Sequence, residues 1–484
     1  MSKLSKRMFD KKRTFQTHTV NEFSFEQPTS AVHKCQNENT FCLCFDKRKK
    51  IDFFCSKTTH YLLLRAIKRK TFFSRATSMT TRSRNNNSLF LLIAILIFAF
   101  CCCENFAFAQ SSEGLQKNEN AIRVATFNVA LNRRSDGELL KELEKGTSVK
   151  VAKVAAIIQM VRPDVLLLNE IDFDGGKTVE AFQKKFLEKP WHYQKPIVYP
   201  HRYVQSVNTG VDTQIDLNGD KRVGTGDDAY GYGRFPGQYG MAVLSMHPID
   251  TKNARTFQKF LWKDMPGALL PKHPETGKDW FSAEATNIFR LSSKSHWDLP
   301  ITVDSKTFHF LVCHPTPPVF DKEEDRNGRR NHDEIRIWAD YINNDCEWLY
   351  DDAGKKGGLD EGSAFVIAGD LNADPNDGDS TNNAIDQLLK HDRVQADSIP
   401  TSSGGKHYAE KEGKANLKQK GDPTHDTANF NDNSVGNVRI DYVLPSKGLS
   451  VSNQGVFWPA PDEPGNKLED ASDHRMVWID IELK

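Results

Sequence analysis

Seven short apolar runs lie between residues 121 and 483, with turn signals between them. They are AIRVATFNV (121–129), VLLLNEID (165–172), GMAVLSM (240–246), ITVDSKTFHFLVCH (301–314), AFVIAG (364–369), NVRIDYVLPS (437–446) and HRMVWIDIEL (474–483). Runs of this length bounded by turn residues read as strands. Helical spacing appears elsewhere: VAKVAAIIQMVR (151–162), stopped by Pro163 and Asp164, EIRIWADYINNDCEWLY (334–350) and NAIDQLLKH (383–391). Strands alternate with helices, yet hairpin-like pairs are also present. That combination predicts a layered α/β domain with mixed sheets, not a purely parallel one. Polar, Gly-rich stretches at 205–237, 351–363 and 402–436 read as surface insertions within one domain.

Charge is distributed unevenly along the 484 residues. The formal net charge is +1, but residues 1–80 carry 17 Lys and Arg against 6 Asp and Glu, which leaves 111–484 at about −11. An acidic domain does not draw polyanions by its general field, so a phosphate bound there needs a local cation or a metal. Seven of the nine cysteines precede residue 110. Cys313 and Cys346 alone do not make a disulfide scaffold. Cys313, inside FHFLVCH, reads as a small buried hydrophobe.

Leu89–Cys103 is fifteen uninterrupted apolar or cysteine residues. A membrane span needs about 20. Arg82 and Arg84 precede the run, and Ala107-Phe108-Ala109 follows it with the small-x-small form of a cleavage site. Residues 79–109 therefore read as a secretory signal with cleavage before Gln110, and 110–484 as the working domain. Residues 1–78 are basic and lack clear periodicity, as an extension from a start codon called too early would. A short cytosolic tail on an anchored protein is the competing reading. The expected product is secreted or periplasmic, monomeric, without a membrane span or a stable protein partner.

At the ends of the apolar runs stand Asn128, Glu170, His314, Asp370 with Asn372, Asp441, and Asp473 with His474. Singly, each has a plain structural reading: Asn128 as a strand-end hydrogen-bonder, Glu170 as a surface carboxylate, His314 as a structural ring before Pro315. Their recurrence at strand ends suits water attack on a phosphate ester. Glu170 and Asp473, with Asn128 beside them, are hard oxygen donors that suit Mg²⁺ or Mn²⁺ rather than zinc. Asp370 suits orienting or deprotonating water, and Asn372 suits donation to developing charge. In an extended chain these two project to the same side. His474 paired with Asp441 suits a general base. Gly369 suits a backbone turn close to the substrate.

TFNV, LLNEID, the strand ending in CHP, GDLNADP, RIDYVLPS and ASDHR resemble the motif series of the endonuclease/exonuclease/phosphatase superfamily, over roughly 120–484. The GDxN and SDH pair is the most specific part. The resemblance implies a four-layer α/β/β/α sandwich with two mixed β-sheets, the DNase I-like fold. It implies that Asn128 and Glu170 hold the metal with help from Asp473, and that His314 contacts phosphate or assists the leaving group. Asp370 and Asn372 would position water and phosphate, and Asp441 would orient His474. The carboxylate that pairs with the first histidine in this superfamily has no evident motif here. Asp298, in KSHWDLP, is the candidate, and Lys294 and His296 beside it are candidate phosphate contacts. In the segment 314–334, read as a charged loop, Arg329, Arg330 and His332 are candidates for reading a substrate anion.

DLNGDKRVGTGDD (216–228) sets Asp216, Asn218 and Asp220 at alternate positions, with Asp227 twelfth. That is the ligand spacing of a Ca²⁺ loop. Lys221 stands where the turn glycine belongs, and no flanking helices are evident, so an ordinary polar loop is the other reading. The leading expectation is a secreted, metal-dependent phosphodiesterase acting on nucleic acid or a phospholipid head group. A phosphomonoesterase on the same fold, or a calcium-stabilised binding protein that has lost catalysis, are the alternatives.

Overall fold

A computed structural model describes residues 43–45, 51–53, 115–344 and 346–483. The signal segment at 79–109 and most of the 1–78 extension lie outside the described residues. The chain divides into two compact units, 1–93 and 94–484. In the first, β1 (Leu43–Phe45) pairs antiparallel with β2 (Ile51–Phe53). Among the described residues, no helix is long and apolar enough to cross a membrane.

The second unit holds β3 (Ile122–Asn128), β4 (Val165–Asn169), β5 (His201–Tyr203), β6 (Met241–Ser245), β7 (Arg255–Thr256), β8 (His296–Val303), β9 (Lys306–Cys313), β10 (Phe365–Asp370), β11 (Ala428–Asn429), β12 (Asn437–Val438), β13 (Asp441–Pro445), β14 (Ser450–Val456) and β15 (Val477–Glu482). One sheet has six strands in the order β14-β15-β3-β4-β6-β5, and the other has five in the order β13-β10-β9-β8-β7. β3 with β4 and β9 with β10 are parallel pairs, and the remaining pairs are antiparallel. Both large sheets are therefore mixed.

Side-chain alternation assigns the faces. Ile122, Val124, Val165 and Leu167 pack against Trp297, Phe310, Val366 and Ala368 in one core between the sheets. The intervening residues Ala125, Phe127, Leu166 and Leu168 pack outward against helix Val149–Val161. On the other side Leu311, Cys313, Ile367 and Leu444 pack against helix Arg326–Asn343. The order is helix, sheet, sheet, helix, as the resemblance implies. A strand buried on both faces needs apolar residues in both rows, which is why these runs are nearly continuous.

Four local expectations change. The 301–314 run is a hairpin turn and not one strand: β8 and β9 meet at Asp304, whose φ is 54°. The 437–446 run is likewise divided between β12 and β13. The long helix begins at Arg326, inside the segment read as a loop. Its first turns carry polar side chains that face inward, so they show no apolar period. Asn331 Nδ2 donates to the Thr316 and Leu371 carbonyls, and Arg330 Nε donates to the Leu291 carbonyl at 2.8 Å. Gly369 answers a different need from a substrate approach: a Cβ there would lie 2.1 Å from the Cys313 carbonyl oxygen of the neighbouring strand.

Candidate active site

The inward rows of the strands extend past the core and deliver side chains to one end of the sandwich. In β10 the row runs Val366, Ala368, Asp370. In β13 it runs back from Val443 to Asp441, which is the Cα partner of Asp370. Past the end of β9 the row Phe308, Phe310, Val312 reaches His314, and in β3 the row Ile122, Val124, Thr126 reaches Asn128. Apolar packing of the early members thus fixes where the polar last member stands.

Asp370 is the hub. Its Oδ2 accepts from Asn128 Nδ2 at 3.0 Å and lies 3.4 Å from His314 Nε2 and 3.7 Å from His474 Nε2. Its Oδ1 accepts the Asn372 backbone N–H at 3.1 Å. His474 Nδ1 is 2.9 Å from Asp441 Oδ2, which also accepts the Thr427 hydroxyl at 2.9 Å. Glu170 follows β4 with φ 60°, a left-handed turn that takes it out of the outward row. It lines a cavity of about 1020 Å³ together with Lys294, His314, Asp370, Asn372, Asp473 and His474. Asn128 and Asp441 stand fully buried behind that wall.

Charge is unevenly balanced. Burial works against the His474 imidazolium, but Asp441 and then Asp370 outweigh it and hold its pKa up to about 10. Burial pushes the Asp370 carboxyl up to about 6, with His474 opposing the rise. Burial raises Glu170 too, against the pull of His474, and the Asp370 charge adds to the rise. His314 is held well below its ordinary value by burial and then by Lys294, so its ring is neutral at pH 7.

The donor set fits a hard divalent cation. Glu170 and Asp473 are carboxylates at the cavity, and burial, which raises Glu170, deprives its charge of water that a cation would replace. Asn128 stands behind them with its amide oxygen accepting the Ala130 backbone N–H at 3.1 Å. Asp370, Asp441 and His474 also bring ligand atoms within 4.8 Å of one another. There, however, Asp441 Oδ2 is already shared between His474 Nδ1 and the Thr427 hydroxyl. That group reads better as an oriented histidine than as a metal cage.

A family model described as "Endonuclease/Exonuclease/phosphatase family" matches residues 125–474. The chain belongs to the endonuclease/exonuclease/phosphatase family. That family acts on phosphate esters, so the protein is a phosphoesterase of this superfamily. Among solved structures, the chain is similar to an endonuclease/exonuclease/phosphatase from Beutenbergia cavernae, at 18% identity over 75% of this chain and 72% of that one, with a TM-score of 0.41. It is also similar to sphingomyelinase C from Streptomyces griseocarneus, at 14% identity over 75% and 99% of the two chains, TM-score 0.39. A third is truncated TDP2 from Caenorhabditis elegans, at 14% identity over 75% and 98%, TM-score 0.36. No curated protein matches the chain.

Several residues expected around this family site stand elsewhere. Asp298 is not the partner of His314: it accepts the Tyr341 hydroxyl at 2.5 Å and meets His309 Nδ1 at 2.7 Å. His314 Nδ1 is buried with no hydrogen-bond partner among the described residues. His296 is a core ring, 2.7 Å from Ser292 Oγ and 2.9 Å from the Glu334 carbonyl, packed on Trp338. Arg329 faces Asp325 across 3.9 Å, and His332 lies 3.0 Å from its neighbour Asp333; neither lines the cavity. Arg330 lines it with its guanidinium bound to backbone carbonyls. Lys294 does reach the site, with Nζ 3.4 Å from the Pro315 carbonyl. Asn372 arrives differently from expectation: its φ of 52° turns the chain, and its Nδ2 donates to the Pro315 carbonyl at 3.2 Å.

In the 216–228 loop, Asp216 accepts the backbone N–H groups of Gly219, Asp220 and Lys221. Asn218 accepts from Asp220 N at 3.0 Å, and Asp220 pairs with Arg222. The carboxylates of Asp216, Asp220 and Asp227 do not converge within 4.8 Å.

The sequence reading missed Thr427, Asn132 and Asn169. Asn132 Nδ2 donates to Glu170 Oε2 at 2.7 Å, and Asn169 Oδ1 accepts from the Thr126 hydroxyl at 3.2 Å. Asn169 was within reach as the residue before Glu170 in LLNEID. Thr427 sits in a stretch read as a surface insertion, and no periodicity marks it.

Proposed function

We propose that the protein is a secreted phosphodiesterase that uses a divalent cation, Mg²⁺ or Mn²⁺, to activate water against phosphorus. The observation that carries this reading is the convergence on Asp370 Oδ2 of Asn128, His314 and His474, from three separate strand ends. Glu170, Asn128 and Asp473 would hold the cation, which would neutralise phosphate oxygens and the leaving group. Asp370, a carboxylate at pH 7, takes the proton of the attacking water as the new P–O bond forms and the bond to the leaving alcohol breaks. Asn372 and Lys294 position the phosphate oxygens, and neutral His314 donates through Nε2. The sequence reading makes His474 the general base. Asp441 and Asp370 hold its proton too firmly for that, so here it stands as an imidazolium facing the developing charge. Secretion rests on the basic, apolar and small-residue order of 79–109.

The test is hydrolysis of bis-p-nitrophenyl phosphate by the chelated enzyme with metals returned one at a time. Activity restored by Mg²⁺ or Mn²⁺ and absent in chelator supports the reading. Full activity in chelator rules it out.

A further inference from the structure

The cavity does not end at the phosphate site. Three residues past His314 begins an apolar wall, Pro317-Pro318-Val319-Phe320, with Phe320 85% exposed. Asn327 secures it: its Nδ2 donates to the Val319 carbonyl at 2.6 Å and its backbone N–H to Asp321 at 2.7 Å. Leu217, Trp262, Phe281 and Phe289, all buried, line the same cavity. The three rings form one cluster, with Phe281 and Phe289 centroids 4.9 Å apart and Trp262 within 6.4 Å of both. Ring packing of this kind gives a firm apolar surface.

The charges at the rim point the same way. Asp227, Asp374, Asp377 and Asp379 also line the cavity. Of the cations there, Arg326 is paired with Glu324 and Arg330 is bound to carbonyls, which leaves Lys294 beside the phosphate site. One phosphate finds a cation and a metal site. A second and third, as in a polynucleotide, would face carboxylates.

Resting on the phosphodiesterase reading, we propose that the substrate is a single phosphodiester bearing an apolar group, which enters the pocket of Leu217, Trp262, Phe281 and Phe289, and that nucleic acid strands are poor substrates. Residues 205–237, expected to be a surface insertion, supply Leu217 and Asp227 and so act in substrate choice.

The experiment compares kcat/KM for methyl p-nitrophenyl phosphate, hexyl p-nitrophenyl phosphate and a single-stranded DNA 12-mer, with metal supplied. Burial of the longer chain predicts a hexyl-to-methyl ratio of about tenfold or more, with the DNA cut far more slowly than the hexyl ester. In Phe281→Gln and Leu217→Asn, checked for folding by thermal melting, the ratio falls toward one. A wild-type ratio near one, preference for the DNA, or an unchanged ratio in both folded variants overturns the proposal while the phosphodiesterase reading stands. Failure to hydrolyse either p-nitrophenyl ester overturns both.

Discussion

Asn128 and Asp370 end central strands of opposite sheets, and the Asn128 Nδ2 amide donates to Asp370 Oδ2 at 3.0 Å. That bond, together with the His474–Asp441 contact, ties the two sheets at their polar end through buried side chains. Asn128→Ala removes that donor and the proposed metal ligand together. The expected result is a fall in kcat/KM of about 10²-fold or more, read on bis-p-nitrophenyl phosphate. Asn128→Asp is expected to be worse than conservative, because it sets a second carboxylate beside Asp370 and drives that carboxyl further up.

Thr427 tests how far the site depends on a polar stretch. Its hydroxyl donates to Asp441 and accepts the backbone N–H groups of Ile440 and Asp441 at 3.0 and 2.9 Å. Thr427→Val leaves those buried groups unpaired, at a cost of about 1–3 kcal/mol. Urea denaturation should show that loss, with a lower kcat as His474 loses its fixed partner. A variant with wild-type stability would contradict the account of Thr427.

Gly369→Ala tests the close approach of β9 and β10. The added Cβ would meet the Cys313 carbonyl at 2.1 Å, and backbone cannot yield as a flexible side chain can. A loss of about 1–3 kcal/mol or more is expected, measured as a lower urea midpoint. An unchanged midpoint would show that the strands separate freely.

His296 predicts acid sensitivity. Burial lowers its pKa to about 4, whereas the unfolded imidazole titrates near its ordinary 6.5. Between those values the unfolded chain binds the extra proton, so stability falls as pH falls from 6.5 toward 4, by up to about 3 kcal/mol from this residue. The urea midpoint of His296→Gln should therefore change less between pH 7 and pH 5 than that of the wild type. Parallel slopes would contradict this assignment.

Much of the fold was legible because burial on both faces leaves continuous apolar runs, and several polar residues at the ends of those runs, Glu170, His314, Asp370 and His474, line one cavity. Asp370 and Asp441 could be placed from alternation alone. Asn372 could not, since a left-handed turn replaces the extended chain that the spacing argument assumed. Asp298 looked like a partner for His314 only in the linear order; on β8 it faces Tyr341 and His309. Arg330 and Asn331 hid the start of the long helix, because their inward contacts are hydrogen bonds and carry no apolar period. The apolar pocket was hidden for a related reason: Leu217 lies among Asp, Asn and Gly residues, and only folding brings it to Phe281 and Phe289.

The central claim is that Asp370 and His474 act directly on a phosphate ester with a metal present. It is tested most directly by kcat/KM for bis-p-nitrophenyl phosphate in saturating Mg²⁺ or Mn²⁺, measured for Asp370→Asn and His474→Ala variants that melt as folded proteins. The account predicts a loss of about 10²-fold or more in each. Wild-type rates in both folded variants would contradict it.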